Sequence, residues 1–325
     1  LGVASGDPQA HAVILWTRLA PSPADPQGGL GNKRIKVRWE ISIDESFEDV
    51  LFSGTTIAEP RWGHSVHVDV TDLEQDVTFY YRFRTGAHTS PVGRTATMPL
   101  YTLPSRKVLA AVSTNPGRAP LPLYAGLAES APDLVVFLGD YTGPDIANVG
   151  GLDTLRARYA ALKSDPGLQA AHAACAWAVC ASPGEVANDE QVQAWWEHQP
   201  VRLPDPKQGI YTTARRLALG TLVALDLADP LDRPVAPTDG RSNWENGGAP
   251  PEGTQWSVTA SAATGTARLP NGAERGAVML RSHGAADTST PGTTLYITPA
   301  GFGDGAAWVR HEVTPESWSA TEVRP

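Results

Sequence analysis

The chain has 325 residues and a mass of 34.5 kDa, of which 41% are apolar and 19% are charged. That length suits two ordinary domains. No apolar run approaches the ~18 residues of a membrane span, so we expect no membrane-spanning segment. The net charge is −9 and no basic cluster stands out, which excludes nucleic acid as an expected partner, because clustered Lys and Arg are needed to compete for phosphates.

The first hundred residues predict an all-β domain. Short apolar runs separated by turns are AVILWTRL (12–19), IKVRWEISID (35–44), VLFSGTTI (50–57), SVHVDV (65–70), TFYYRFRTG (78–86) and PVGRTATMP (91–99). Apolar and polar residues alternate in the second run, as in a strand with one buried face. Such runs predict an immunoglobulin- or fibronectin-type β-sandwich. The opening GVASGD is loop-like and precedes a strand rather than a helix, so it offers no phosphate cradle.

The pattern changes after Pro99 to a mixed α/β domain. VLAAVST (108–114) and DLVVFLGD (133–140) are unbroken apolar runs, typical of strands buried on both faces, with a helical segment between them. Helices are predicted over 153–174 and 188–200, with the short strand AWAVCA between them. Later strands are predicted at 214–228, 275–282 and 293–300, and an edge pair is predicted to close the chain.

Few residues stand out as chemical groups. Asp140 follows a buried strand, where open α/β sheets place ligands and metals, although a carboxylate that caps a turn is at least as common there. The eight histidines show no metal-binding spacing, and no G-x-S-x-G elbow occurs. Trp195 and Trp196 favour helix packing over a sugar platform. Cys175 and Cys180 are expected to be buried thiols rather than a disulfide.

The opening GVASGDPQAHAVILWTRLAP resembles the start of the alkaline phosphatase D (PhoD-like) family, whose members read G-V-A-S-G-D-P…V-x-L-W-T-R-L. The similarity continues in the family's order through WEISIDESF, HSVHVDVTDL, YYRFRTG, SPVGRTATMP, DLVVFLGDY, RYAALKSDPGLQAAHAACAWAV, QAWWEHQPVR, LVALDLADPLD and TLYITPAGF. It covers most of the chain.

The resemblance implies a fibronectin-like amino-terminal sandwich over residues 1–100. It implies a calcineurin-like metallophosphoesterase domain, here shortened, over residues 105–325, in which two β-sheets are flanked by helices. It also implies an exported protein, secreted or in the cell envelope, and hydrolysis of phosphate mono- and diesters at an iron and calcium centre.

Two of the family's metal motifs are altered in the first half of the second domain. The family's S-C-Q carries an iron-ligating cysteine, and this chain has Thr114 at that position. A neutral hydroxyl therefore stands where the family has a soft thiolate. In the family's G-D-Y-x-Y, the metal-bridging Asp140 and the following Tyr141 match, but Gly143 replaces the ligand tyrosine.

Two further motifs are altered later. The family's D-D-H-E-x-x-N reads SPGEVAN here, so two acids and a histidine are replaced while Glu185 and the ligand Asn188 remain. The family's L-T-G-D-V-H aligns with LRSHGA, which puts His283 at an acidic position and Ala285 at a histidine position.

Asp140 and Asn188 are therefore the remnant metal-ligand positions, and no catalytic residue is assigned. One carboxylate and one amide cannot supply the ~6 hard oxygens that calcium prefers, or an anionic set for iron, so no cofactor is expected. The first hypothesis is an exported pseudoenzyme with a binding, scaffolding or cell-envelope role, whose protein or envelope partner is unknown. Candidate surfaces are the cleft below Asp140, the polar tract 229–253 and the sandwich edge.

The alternative is an active metal-dependent phosphomonoesterase or phosphodiesterase with a rebuilt iron and calcium site. Its ligands would be drawn from Asp140, Asn188, Asp145, Asp189, Asp226, His283 and Asp287. The exported location rests on the resemblance and on Leu1 in place of an initiator Met, which fits a processed mature protein or a trimmed chain.

Overall fold

The computed structural model describes most of the first two hundred residues and a set of strands after them. The described parts are residues 1–98, 107–112, 122–137, 139, 141–142, 146, 148–179, 181 and 185–202, and then the backbone of 212–217, 220–226, 256–259, 262–266, 275–280, 294–297, 308–313 and 318–323.

The first 98 residues form eight strands. They are β1 (Val3–Gly6), β2 (Val13–Arg18), β3 (Ile35–Ser42), β4 (Val50–Ala58), β5 (Ser65–Val70), β6 (Thr78–Thr85), β7 (His88–Thr89) and β8 (Gly93–Ala96), with a 3-10 turn at Pro60–Trp62. The predicted runs are thus confirmed as strands β2 to β6 and β8.

Helices and strands alternate in the next part of the chain, as expected for an α/β arrangement. The elements are β9 (Lys107–Val112), α1 (Pro122–Glu129), β10 (Leu134–Phe137), α2 (Leu152–Lys163), α3 (Pro166–Ala174), β11 (Ala176–Val179) and α4 (Asp189–His198). The single helix predicted over 153–174 is two helices. Asp165 caps the second one by accepting a hydrogen bond from Leu168 N at 2.9 Å, and Pro166 occupies its first turn.

The last part of the chain contributes strands. These are β12 (Thr212–Leu217), β13 (Gly220–Asp226), β14 (Trp256–Thr259), β15 (Ala262–Thr266), β16 (Arg275–Leu280), β17 (Thr294–Ile297), β18 (Trp308–Val313) and β19 (Trp318–Val323). The segment predicted as strand-like over 214–228 contains an antiparallel pair, β12 and β13. The predicted closing pair is confirmed as β18 and β19.

The largest sheet combines strands from both ends of the sequence. Its order is β19-β18-β9-β10-β11-β1-β2-β5, with β9, β10, β11 and β1 mutually parallel. A five-stranded sheet has the order β4-β3-β6-β7, with β8 also on β6, and β12-β13-β16-β17 and β14-β15 form two smaller sheets. Because β1, β2 and β5 lie in one sheet with β9 to β11, the two-domain layout and the fibronectin type of residues 1–100 remain predictions.

The prediction of a loop over GVASGD is wrong, because Val3–Gly6 is strand β1. All of its residues are buried, since β2 lies on one side and β11 on the other. Gly6 is needed there. A Cβ at this position would lie 2.0 Å from the backbone oxygen of Pro200, so any larger residue would displace the chain that crosses it.

Two apolar cores lie on the two sides of the large sheet. One fills the space against the five-stranded sheet and includes Leu15, Val37, Ile41, Val68 and Phe83. The other lies under the helices and includes Phe137, Tyr159, Trp177, Trp195 and Trp196. The prediction that the paired tryptophans pack a helix is confirmed.

Cys175 is buried and free, as predicted, while Cys180 lies outside the described residues. None of the described helices is long and apolar enough to cross a membrane.

Candidate functional site

The site predicted from the sequence lies at the carboxyl ends of the parallel strands β9, β10 and β11. Strand β10 ends at Phe137, and Gly139 follows with φ +98°, a left-handed conformation that favours glycine. Asp140 lies outside the described residues. So do Thr114, Gly143, Asp145, His283, Ala285 and Asp287.

The segment directly after Asp140 is held by two charged side chains. Oε1 of Glu185 accepts a hydrogen bond from Thr142 N at 3.3 Å, and Arg158 donates to Thr142 O through Nε at 3.2 Å and Nη2 at 2.8 Å. Glu185 is buried and also accepts a hydrogen bond from the hydroxyl of Tyr159 at 3.4 Å. Thr142 is therefore fixed at both its N–H and its C=O. We call Thr142, Arg158 and Glu185 the Thr142 clamp.

Tyr141 points into a second buried polar group. Its hydroxyl lies 2.8 Å from Nε2 of His172, and Nζ of Lys163 lies 3.1 Å from the same nitrogen. The Lys163 amine also sits 4.5 Å from the ring centre of Trp16. Burial lowers the pKa of Lys163 and of His172 well below their usual values. Burial thus favours the uncharged forms of both groups.

A third buried group joins β2 to helices α2 and α4. Arg156 donates to both carboxylate oxygens of Glu197, at 2.7 and 2.6 Å. Nη1 of Arg18 lies 2.9 Å from Nε2 of His198. Burial, and after it the charge of Arg18, lowers the pKa of His198 well below its usual value. These contacts hold helices α2 and α4 against the sheet. They support the candidate site but are not part of it.

Asn188 occupies the amino-terminal cap of α4. Its side-chain oxygen accepts a hydrogen bond from Gln191 N at 3.0 Å, and the residue is exposed, as is Asp189 beside it. Asp226 ends strand β13, of which the structure describes the backbone. The metal role of Asp140 and Asn188 remains a prediction.

Sequence reasoning retained Glu185 as a matched motif position but missed its partners. Arg158 and Thr142 show no motif, because their pairing depends on the packing of α2 against the segment after β10. The Lys163–His172 contact spans two helices that the sequence pattern had joined into one. The Asp165-Pro166 pair is typical of a helix start and is the local signal that separates α2 from α3.

Comparison with known proteins places these features in context. Residues 1–99 match the family model of the PhoD-like phosphatase N-terminal domain. Alkaline phosphatase D of Bacillus subtilis (strain 168) is 35% identical over 271 residues, which cover 70% of this chain and 46% of that protein.

One solved structure gives a similar result. A structure of PhoD matches with 32% identity and a TM-score of 0.61, over 74% of this chain and 53% of that one. The purple acid phosphatase PPD1 from yellow lupin (Lupinus luteus) seeds matches at 8% identity and a TM-score of 0.45, over 67% and 43% of the two chains. The present chain therefore spans about half the length of the alkaline phosphatase D relatives that it matches.

These relatives correct one expectation. The prediction that this chain has no cofactor is wrong, because alkaline phosphatase D homologues depend on calcium and iron. Within the described parts of the chain, no three His, Cys, Asp or Glu side chains lie together as a metal site would require. The carboxylate of Glu185 and the amide of Asn188 are both hydrogen-bonded to backbone N–H groups.

Proposed function

This chain belongs to the alkaline phosphatase D (PhoD-like) family, and from that premise we propose that it uses the family scaffold for binding and not for hydrolysis of phosphate esters. The proposal places the protein outside the cytoplasm, secreted or in the cell envelope, with a protein or envelope component as its partner. The framework motifs retained along most of the sequence support the scaffold half of this proposal.

One observation is the main support for the proposed loss of hydrolysis. Of the family motif D-D-H-E-x-x-N, Glu185 and Asn188 remain, and both serve the fold: the first holds Thr142 and the second caps α4. The other motif positions support the same conclusion from the sequence, since Thr114, Gly143 and Ala285 replace a thiolate, a phenol and an imidazole. A hydrogen and a methyl group cannot bind iron, and a neutral hydroxyl is a poor replacement for a soft thiolate.

Hydrolysis of a phosphate ester by this family's chemistry needs a metal to polarise the phosphoryl group and to lower the pKa of the attacking water. The side chains described around the segment after β10 provide neither function by themselves. Thr142 and Glu185 of the Thr142 clamp are buried, and the charged side chains of the clamp bind backbone groups rather than a substrate.

The competing function is a metal-dependent phosphoesterase with a rebuilt centre. The calcium and iron dependence of the homologues and the retained Asp140 favour it. Because Asp140 matches the family's metal-bridging position, it should be indispensable to any turnover by such a centre.

The two functions are separated by a matched pair of variants. The full chain, Asp140→Ala and Glu129→Ala are assayed on bis-p-nitrophenyl phosphate with iron and calcium supplied. Glu129 is an exposed carboxylate at the end of α1, so its removal controls for the lost charge. We expect the same background rate from all three proteins. A rate that Asp140→Ala abolishes and Glu129→Ala preserves would overturn the proposal and establish the rebuilt centre.

A further inference from the structure

One edge of the five-stranded sheet collects the exposed large apolar side chains of the described part of the chain. They are Ile43, just after β3, and Val50, Leu51, Phe52 and Ile57 on β4, each exposed by 38% to 54%. Strand β4 pairs with β3 and with no other described strand. Its outer side therefore presents N–H and C=O groups that can pair with another strand.

The strand itself lacks the usual protection of an edge. Natural edge strands carry a Lys or a Pro that blocks pairing with another chain, whereas the nine residues VLFSGTTIA are uncharged and contain no Pro. A bulge at Leu51 disturbs the beginning of the strand. From Phe52 to Ala58 the pairing with β3 is regular, so a long straight segment stays available.

The two ends of this edge carry opposite charges. Acidic residues precede the first residue of β4. Basic residues lie at the other end, next to Ala58, where β4 ends and the neighbouring strand β3 begins. The acidic end consists of Asp44, Glu45, Glu48 and Asp49, and the basic end of Lys33, Arg34, Lys36 and Arg61. Glu59 at the basic end is bridged by Arg34 at 2.7 Å and by Arg61.

The opposite charges at the two ends of β4 favour a second copy of this chain as the partner strand. When a second copy of the chain pairs with β4 in the antiparallel sense, the acidic end of each copy meets the basic end of the other. Parallel pairing would bring like charges together, which is destabilising. Antiparallel self-pairing also closes after two copies, because the same patch is used on both sides of a twofold axis.

The register follows from the side-chain pattern. Directly opposed residues of an antiparallel pair point to the same face of the sheet. The twofold axis therefore has to lie midway between one residue and the same residue of the second copy. An axis at Gly54 pairs the regular segment from Phe52 to Thr56. It sets Phe52 opposite Thr56 and brings the bulged Leu51 of one copy towards Ile57 of the other, so exposed apolar side chains of the two copies lie next to each other.

We propose that this protein forms a twofold dimer in which the two β4 strands pair antiparallel about Gly54 and join the five-stranded sheets into one. The dimer goes beyond the binding function proposed above and does not depend on it. It also leaves the carboxyl edge of β9, β10 and β11 outside the contact.

The test is a charge-swap series on the full chain, with the mass measured by sedimentation over a range of concentrations. Glu48→Lys with Asp49→Lys removes the net negative charge of the acidic end and should weaken the dimer about tenfold or more. Lys33→Glu with Lys36→Glu removes the net positive charge of the basic end and should do the same. Mixed in equal amounts, the two variants keep one contact between an acidic and a basic end, so the mixed dimer should be tighter than the dimer of either variant alone.

The matched control is Glu74→Lys with Glu129→Lys, which changes the net charge equally at exposed positions off this edge. It should leave the dimer unchanged. The parent chain should sediment at twice its 34.5 kDa mass. A parent that stays monomeric, or a dimer that the charge-swap series leaves unchanged, would overturn the proposal, and hydrolytic assays would be unaffected by either result.

Discussion

Lys163 places an amine in the apolar space between β2 and the helices. It is 1% exposed, and burial lowers its pKa well below the usual value. Because an unfolded chain leaves this amine solvated and charged, folding has a cost at neutral pH. Replacement of buried charged groups by apolar residues of similar volume is often stabilising.

We therefore expect Lys163→Met to raise the free energy of unfolding by about 1 kcal/mol or more at pH 7. Glu129→Met, at an exposed position away from the β4 edge, should change it by less than about 0.5 kcal/mol. Urea denaturation followed by circular dichroism measures both. A Lys163→Met protein that is clearly less stable than the parent would show that the amine is bound as a charged group.

Arg156 offers an internal comparison of a buried and an exposed ion pair. It contacts Glu197, which is fully buried, and Asp153 at 3.8 Å, which is 72% exposed. Loss of one partner from a buried pair leaves an uncompensated charge, whereas an exposed pair contributes little.

Glu197→Gln should lower the free energy of unfolding by about 3 kcal/mol or more, and Asp153→Asn by about 0.5 kcal/mol or less. Both substitutions keep the shape of the side chain, so the difference reports the charge. Equal effects in denaturant titrations would refute the assignment of Arg156–Glu197 as the main pair.

His67 makes the stability depend on pH. Burial lowers its pKa to about 4, and the ring is stacked on Trp196 at 4.3 Å. The unfolded chain protonates this ring near pH ~6.5 while the folded chain keeps it neutral, so stability falls as the pH drops from ~6.5 towards 4.

Because the pKa of His67 is lowered on folding, the free energy of unfolding of His67→Gln should fall less than that of the parent between pH 7 and pH 5. The difference should be about 2 kcal/mol for this one group. His88→Gln, at an exposed position, should follow the parent curve. Thermal or urea midpoints at several pH values check this, and parallel curves for parent and His67→Gln would contradict it.

Strand β1 shows how an element can depend on one residue. Gly6 lies where a Cβ would be 2.0 Å from Pro200 O and 2.9 Å from Trp177 O, both of them backbone atoms that cannot rotate away. Gly6→Ala should thus separate β1 from β11 and lower the free energy of unfolding by about 3 kcal/mol.

Gly126 in helix α1 is the matched control, because a Cβ there meets nothing within 4 Å. Gly126→Ala should be neutral or stabilising by up to about 1 kcal/mol, since alanine favours the helix. If the two glycine variants unfold at the same denaturant concentration, the close packing at Gly6 has no energetic importance.

The periodicity of the sequence predicted most individual elements but not how they assemble. The alternation from Ile35 to Ser42 predicts β3, and unbroken apolar runs predict β9 and β10, because burial on one or two faces leaves a local pattern. Strand β1 left no such pattern, since the two glycines of GVASGD suggest a turn and its partner β11 lies about 170 residues away. Pairing over that distance depends on tertiary packing.

The candidate site was predictable only where a motif names it. The family pattern identified Asp140, Glu185 and Asn188, and the structure adds that Glu185 works with Arg158 on Thr142. No local signal marks Arg158, because an arginine on an amphipathic helix usually points to solvent. Its role depends on the three-dimensional contact between α2 and the segment that follows β10.

At the scale of the molecule, the eight-stranded sheet joins the amino-terminal strands to the strands that bear the candidate site. The buried pair Arg18–His198 and the hydrogen bond from Arg156 to the backbone oxygen of Arg61 connect the same two parts. The family motifs that survive in the chain largely match this framework. The motif positions that differ are those expected to hold metal, and on this contrast the proposed binding function depends.

The most direct test of the account is the rate at which the full chain, supplied with iron and calcium, hydrolyses bis-p-nitrophenyl phosphate, with the alkaline phosphatase D of Bacillus subtilis as the positive control. The account predicts a rate equal to that of buffer with the same metals. A metal-dependent rate within about a hundredfold of the control, which is about 2.7 kcal/mol in transition-state stabilisation, would contradict it and identify the chain as a working phosphoesterase.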